Sequence, residues 1–376
     1  MPEAPHRPWE GRLSPGEGDR PASVRKGTQE IAPVQVLRAI SAIAVSILHI
    51  AQNSGAFVGR PGEAPYPWLL FLPWDASVDI FFVISGFVMV YASARLFARP
   101  GGVRLFVGRR VARIVPLYWI TTTLVLLVAL YVPGGLSEPL GGGIGYILAS
   151  YFFIPWPRPD GFIQPIFRLG WTLNYELLFY TLFALFLPLP RRWAVTCLTG
   201  VLLALAAAGV LLRPTTPQFV FWTDPIIIEF AVGMLVATLL LAEFRLDMRA
   251  RVALAACGVL MLFLEGRSDG PWRLLSYGVP ATLFLAAGVL GRPGDAQSRL
   301  MRLGVLLGDA SYAIYLVHPF PMRAFGQLWM RLHWTDTAGI LSYVAVTLVF
   351  ACAAAVALHL WVEMPLTRAV RRLFQV

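Results

Sequence analysis

The sequence predicts an all-α membrane protein, a polytopic helical bundle of about ten transmembrane helices plus one short re-entrant or interfacial segment. Three observations predict it. Of the 376 residues, 57% are hydrophobic and only 14% charged, where a soluble domain carries about 25% charged residues. Mean hydropathy is +0.66. The apolar residues gather in continuous runs, most near the ~20 residues that span a bilayer, rather than alternating at period two as in a membrane barrel. This composition excludes a soluble globular enzyme, a disordered chain and a disulfide-stapled scaffold.

Residues 1–30 are polar, contain Pro2, Pro5, Pro8, Pro15 and Pro21, and lack the apolar stretch of a signal peptide. They read as a disordered tail, and 31–376 as one membrane domain with no soluble domain appended. Apolar runs then follow at roughly 31–52, 73–94, 114–133, 144–155, 171–189, 193–212, 222–242, 251–266, 272–291, 303–325 and 338–362. The fourth is too short to cross, so it reads as re-entrant or interfacial. Basic residues support that reading. With 144–155 not crossing, 22 Lys/Arg fall on the side of the tail and 8 on the other, with Arg38 inside the first span. This asymmetry orients both termini to the cytoplasm. The net charge of +10, carried almost wholly by arginine, therefore reads as a topology signal and not as a nucleic-acid footprint. Cys197, Cys257 and Cys352 sit inside apolar runs without C-x-x-C spacing, read as buried free thiols, and imply no metal site. No internal repeat suggests a transporter built of two related halves.

Ionisable groups inside spans are costly and mark candidate sites. Arg38 and His49 are eleven residues apart, about three turns and ~16 Å along one helix face. An unrelated snorkelling arginine and hydrogen-bonded histidine would fit the same spacing. In DASVDIFFVISGF, Asp75 is interfacial and Asp79 lies deeper and needs a partner. WTLNYELLFY places Thr172 and Glu176 on one face, Glu176 serving chemistry or acting as a counter-ion. In GDASYAIYLVHP, Gly308, Ser311, Tyr315 and His318 step by 3, 4 and 3 and share a helix face, which also suits helix packing. Counted from the outer ends, His49, Asp79, Glu176 and His318 fall in one layer about 5–10 Å deep. A second layer at the cytoplasmic face holds Arg109, Arg110, Arg113 and Glu363. His6 and His333 carry no weight, and His359 reads as interfacial.

A histidine near a carboxylate suits general-base catalysis. An arginine cluster at the opposite face suits phosphate. Together they suggest a two-sided enzyme, with a phosphate-bearing donor entering from the cytoplasm and transfer near the outer face. Acyl-CoA has that shape. The sequence has no nucleophile elbow, Walker loop or HExxH helix, and the glycine run 141–145 lacks a dinucleotide fingerprint. A transporter of sugar or lipid intermediates, or a non-catalytic component of a polysaccharide assembly complex, fits the same two layers of charge. Trp68, Trp74, Trp156 and Trp171 suit either sugar stacking or the ordinary interfacial belt.

The chain resembles the acyltransferase 3 family of membrane-bound acyltransferases, particularly bacterial exopolysaccharide O-acetyltransferases. The resemblance runs from about residue 33 to 372. It rests on LRAISAIAVSILH, SVDIFFVISGFVM, RRVARIVPLYW, WTLNYELLFY, EFAVGM, GDASYAIYLVHP and VEMPL in that order. It implies transfer of an acyl group, usually acetyl from acetyl-CoA as co-substrate with no bound cofactor, to a hydroxyl of a carbohydrate or lipid-linked sugar. The expected setting is the bacterial inner membrane, with membrane lipids and no nucleic acid as partners. It also implies roles. Arg38 and His49 match the family's first-helix pair, Asp79 its second-helix acid, Arg110 and Arg113 its basic motif, and Trp171 and Glu176 its WTLxxE motif. Ser311, Tyr312, Tyr315 and His318 match SYxxYLxH. The expectation is that His49 is the base, that Asp79 or Glu176 orients it, and that Arg38, Arg110 and Arg113 hold the donor. Arg110 and Arg113 pairing with Glu363 is the alternative for the basic motif. Direct transfer and an acyl-histidine intermediate are both compatible with this set. Some family members carry a periplasmic esterase-like domain after the membrane part, and none is read here.

Overall fold

The computed structural model describes residues 31–59, 63–131, 143–264, 272–291 and 298–375. The tail 1–30, Arg60 and the start of the glycine run lie outside these residues. Every apolar run contains helix, and among the described residues the only strand-like feature is an isolated bridge between Pro157 and Ile163. In chain order the helices are α1 (Ala32–Asn53), α2 (Ala76–Ala92), α3 (Gly102–Tyr131), α4 (Gly143–Tyr151), α5 (Trp171–Phe186), α6 (Arg191–Leu212), α7 (Pro217–Trp222) and α8 (Ile228–Leu241). They continue with α9 (Met248–Leu264), α10 (Val279–Val289), α11 (Arg299–Asp309), α12 (Ser311–Val317), α13 (Pro319–Arg331), α14 (Thr337–Leu358) and α15 (Met364–Leu373). Two π-helical turns, Leu274–Gly278 and His359–Glu363, lead into α10 and α15.

The expected count of about ten crossings is not reached by length. Among the described residues five helical stretches are long and apolar enough to span a membrane, and a sixth is added if α11 and α12, bent by 55°, count as one. The physical reason is that several apolar runs are used short. The 17 residues of α2 rise about 26 Å, less than the ~30 Å of a hydrocarbon core. The nine residues of α4 cannot cross at all, as the sequence expects. The run 303–325 breaks twice: α11 turns into α12 at Ala310, and Pro319, which has no N–H, starts α13. Gly308 is therefore separated by the bend from Ser311 and Tyr315, whereas His318, helical in φ and ψ at the end of α12, keeps the expected face with them.

Basic residues do not stop the third helix. It begins at Gly102, twelve residues before the apolar run, and carries Arg104, Arg109, Arg110 and Arg113 along its first turns. Packing is closest between α2 and α8. A side chain at Gly86 would collide with the Phe230 backbone, and one at Gly233 with the Val83 carbonyl, so the two backbones touch through reciprocal glycines. Gly308 likewise seats α11 against the backbone of Gln35 in α1. Helix α1 is thus central, bordered by α2, α10, α11, α12, α13 and α14. Helix α9 is peripheral, with Gly258 its only buried residue. Cys197 and Cys257 are exposed on the outer surface of the bundle, contrary to the expectation of burial, because α6 and α9 turn those faces away from the other helices.

Candidate active site

The ionisable groups expected in one layer separate into three clusters. In the first, His49 Nδ1 lies 2.9 Å from His318 Nε2, and the rings stack at 5.2 Å between centroids with planes 16° apart. His318 is fully buried, and its Nδ1 lies 3.1 Å from the carbonyl of Ile314 one turn earlier. This side chain sits at the junction of two helices: α12 ends at Val317, and His318 caps the start of α13. The partner of His49 is therefore His318, where the sequence pointed to Asp79 or Glu176. Arg168, on the turn before α5, acts electrostatically on His49.

In the second cluster, Asp79 is fully buried and takes two hydrogen bonds from Arg273, from Nε at 3.0 Å and from a terminal nitrogen at 2.6 Å. Arg273 also donates to the carbonyl of Asp75 at 3.4 Å and lies over the Tyr277 ring at 5.2 Å. Glu229, fully buried on α8, couples electrostatically to Asp79 without a well-formed hydrogen bond to either of its oxygens among the described residues. This network ties α2 to α8 and to the π-turn before α10, and it supplies the partner that Asp79 requires.

The third cluster lines a cavity between α1, α2, α3, α5 and α12. Glu176 accepts from the Tyr180 hydroxyl, one turn on, and from Ser85 Oγ at 3.3 Å. Arg38, Arg110 and Arg113 line the same cavity, and Glu176 and Arg113 both act electrostatically on Arg38. Glu176 therefore lies at the level of Arg38, not of His49. Counting from Trp171 misplaces it because the chain is already inside the bundle when α5 begins: Ile166, Phe167 and Gly170 are buried. The cavity walls are apolar at Val88, Met89, Ile114 and Leu173. Two polar atoms on its lining residues, Ser311 Oγ and Arg110 Nε, are buried with no hydrogen-bond partner among the described residues. One wall is Tyr315, whose hydroxyl donates to the Leu169 carbonyl at 2.9 Å and lies 3.0 Å from Thr172 Oγ1. The Tyr315 ring meets His318 edge-on at 6.3 Å, so one ring separates this cavity from the histidine pair.

A second cavity adjoins the first and shares Arg38, Val88, Arg110 and Arg113 with it. Arg109 and Arg371 complete a lining of five arginines, with no carboxylate among the described residues that line it. Arg371 reaches it from α15, which is docked near α3 by a hydrogen bond from Arg104 to the Phe374 carbonyl at 3.2 Å. Glu363 does not pair with Arg110 or Arg113. It binds His359 Nδ1 at 2.8 Å across the π-turn, which gives His359 a carboxylate partner. Tyr312 donates to the Ile114 carbonyl at 2.8 Å, and Trp171 packs edge-on against Phe82 and Tyr175.

Sequence reasoning passed over Glu229, Arg273, Tyr180 and Arg371. Glu229 is an acid within an apolar run and carried the signal it needed. Arg273 and Arg371 were absorbed into the topology count.

Residues 32–359 match the sequence profile of an acyltransferase domain. Among curated proteins, the chain is 37% identical to the exopolysaccharide production protein ExoZ of Rhizobium meliloti (strain 1021) over 258 residues, covering 68% of this chain and 79% of that protein. It is 29% identical to the acyltransferase MdmB of Streptomyces mycarofaciens over 374 residues, covering 89% of this chain and 91% of that protein. No solved structure matches the chain.

Proposed function

Since the chain belongs to the acyltransferase-domain family of membrane proteins, we propose that it transfers an acyl group, acetyl foremost, from acyl-CoA to a hydroxyl of a carbohydrate or lipid-linked sugar. Its place is the bacterial inner membrane with both termini cytoplasmic. The observation that carries the reading is the pair of adjoining cavities that share Arg38, Arg110 and Arg113 and reach from a five-arginine mouth to Tyr315 beside the histidine pair. Guanidinium groups without carboxylates among them suit a donor bearing several phosphates. The inner cavity suits the donor's long arm, with apolar walls and unfilled hydrogen-bonding atoms at Ser311 and Arg110. The printed name of the exopolysaccharide relative supports a carbohydrate acceptor.

In this mechanism the acceptor hydroxyl attacks the thioester carbon while His49 takes its proton. The carbon–oxygen bond forms, the carbon–sulfur bond breaks, and the imidazolium returns the proton to the departing thiolate, giving ester and free thiol. Glu176, held by Tyr180 and Ser85, offsets part of the positive charge of Arg38 and Arg110. A positioned base contributes about 10²–10⁴-fold.

The test is a deletion strain, complemented with the wild-type chain or with His49→Ala, in which base-labile esters of surface glycans are measured alongside CoA binding by the purified protein. Loss of esters in the deletion and in His49→Ala, with CoA binding retained, is expected. Unaltered ester content in the deletion strain, or a purified protein that does not bind CoA, overturns the reading.

A further inference from the structure

His318 is fully buried and makes two contacts through its ring nitrogens, to Ile314 at Nδ1 and to His49 at Nε2. A carbonyl oxygen only accepts, so the nitrogen facing Ile314 must carry the proton. In a neutral imidazole the other nitrogen is then an acceptor, and His318 Nε2 presents a lone pair to His49. It follows that His49 Nδ1 bears the hydrogen between the two rings. His49 Nε2 is left unprotonated, and it takes no hydrogen bond from any described residue. The opposite assignment sets the His318 Nδ1 lone pair against the Ile314 oxygen at 3.1 Å, two acceptors facing each other inside a buried site. The geometry therefore selects one tautomer for both rings.

We propose that His318 is a positioning residue that locks His49 in the Nδ1–H tautomer and so reserves His49 Nε2 as the basic nitrogen for the acceptor hydroxyl. The proposal rests on the reading of His49 as the base. It assigns to a neutral imidazole and a main-chain carbonyl the orienting task that a carboxylate performs in a serine-type triad. A neutral orienter suits this depth of the bundle, because it fixes the ring without placing an unpaired negative charge in an apolar interior. The local backbone holds the ring in place as well. The ring returns to the Ile314 carbonyl, which already accepts the His318 backbone N–H at 3.1 Å, so one carbonyl anchors both ends of the residue. When His49 takes up the substrate proton, its Nδ1–H still donates to His318, so orientation persists through the transfer.

Two substitutions separate positioning from mere packing. His318→Gln keeps an acceptor oxygen near the position of Nε2, whereas His318→Leu keeps volume and removes the acceptor. With the full-length protein in lipid nanodiscs, nitrogen-15 chemical shifts of labelled histidine report which ring nitrogens carry protons, and five histidines make the assignment tractable. His49 is expected to have an unprotonated Nε2 in the wild-type and Gln proteins and a mixture of tautomers in the Leu protein. In transfer from acetyl-CoA to native acceptor membranes, His318→Leu should lose about 10²-fold in kcat with KM for acetyl-CoA unchanged. His318→Gln should stay within about fivefold of wild type. A proton on His49 Nε2 in the wild-type protein, or equal loss in the Gln and Leu proteins, overturns the proposal. If His318→Leu does not insert, the wild-type tautomer alone decides. Retention of transfer by His49→Ala instead refutes the reading of His49 as base, and the tautomer measurement still judges the lock itself.

Discussion

Replacing Arg273 with leucine removes both donors that hold Asp79, the contacts at 2.6 and 3.0 Å, and leaves a carboxylate with no solvent exposure next to Glu229. Breaking one side of a fully buried ion pair costs about 3–5 kcal/mol. The Arg273 side chain keeps 22% exposure, so water already weakens its side of the pair, and the lower end, about 3 kcal/mol, applies. Asp79→Leu should cost less, about 1–2 kcal/mol, because the remaining guanidinium can turn to Glu229. The double replacement Asp79→Leu/Arg273→Leu exchanges the pair for apolar packing and should lie within about 1 kcal/mol of wild type. A double-mutant cycle should therefore return a coupling of about 4–5 kcal/mol. Reversible unfolding in mixed micelles measures all four proteins. An Arg273→Leu protein within about 0.5 kcal/mol of wild type, or a double mutant as unstable as that single one, would refute the reasoning.

Gly86→Ala should sharply lower the thermal midpoint, since its Cβ meets the Phe230 backbone, whereas Gly200→Ala, with nothing within 4 Å, should leave it unchanged or higher; differential scanning fluorimetry separates them. Arg371→Gln should weaken CoA binding about tenfold, near 1.4 kcal/mol, more steeply at low salt, as read by calorimetry. Glu363→Gln should leave that affinity unaltered, because its partner is His359 and not the arginine cluster. Tyr315→Phe deletes the hydroxyl bonded to Leu169 and should cost about 1 kcal/mol in the same unfolding assay, Thr172 keeping its own bond to that carbonyl.

Several residues of the candidate site carry a signal in the sequence. Arg38 and His49 were found by spacing, and Arg110, Arg113 and Glu176 as charges in or beside apolar runs. What misled was depth. Residue counting treats each helix as starting at the membrane surface, yet α5 starts inside the bundle, and that displaced Glu176 from the histidine layer to the arginine cavity. The counting also could not rank partners. Asp79 needed a cation, and Arg273, separated by 194 residues in sequence, looks in the sequence like one more loop arginine. His318 is marked by its motif and by Pro319, but nothing in the sequence says that its ring meets that of His49, 269 residues away.

The sequence by itself determined the helical membrane class, the position of each apolar segment, the family motifs and the surplus of arginine. These follow from composition and local periodicity, which are written residue by residue. Only the tertiary structure decided which runs are long enough to span, which carboxylate meets which arginine, and that the base candidate is oriented by a second histidine. The reason is physical. Buried polar groups choose partners by distance and direction in a low-dielectric interior, and those depend on helix tilt, breaks at Ala310 and Pro319, and glycine-mediated contacts between segments far apart in the chain.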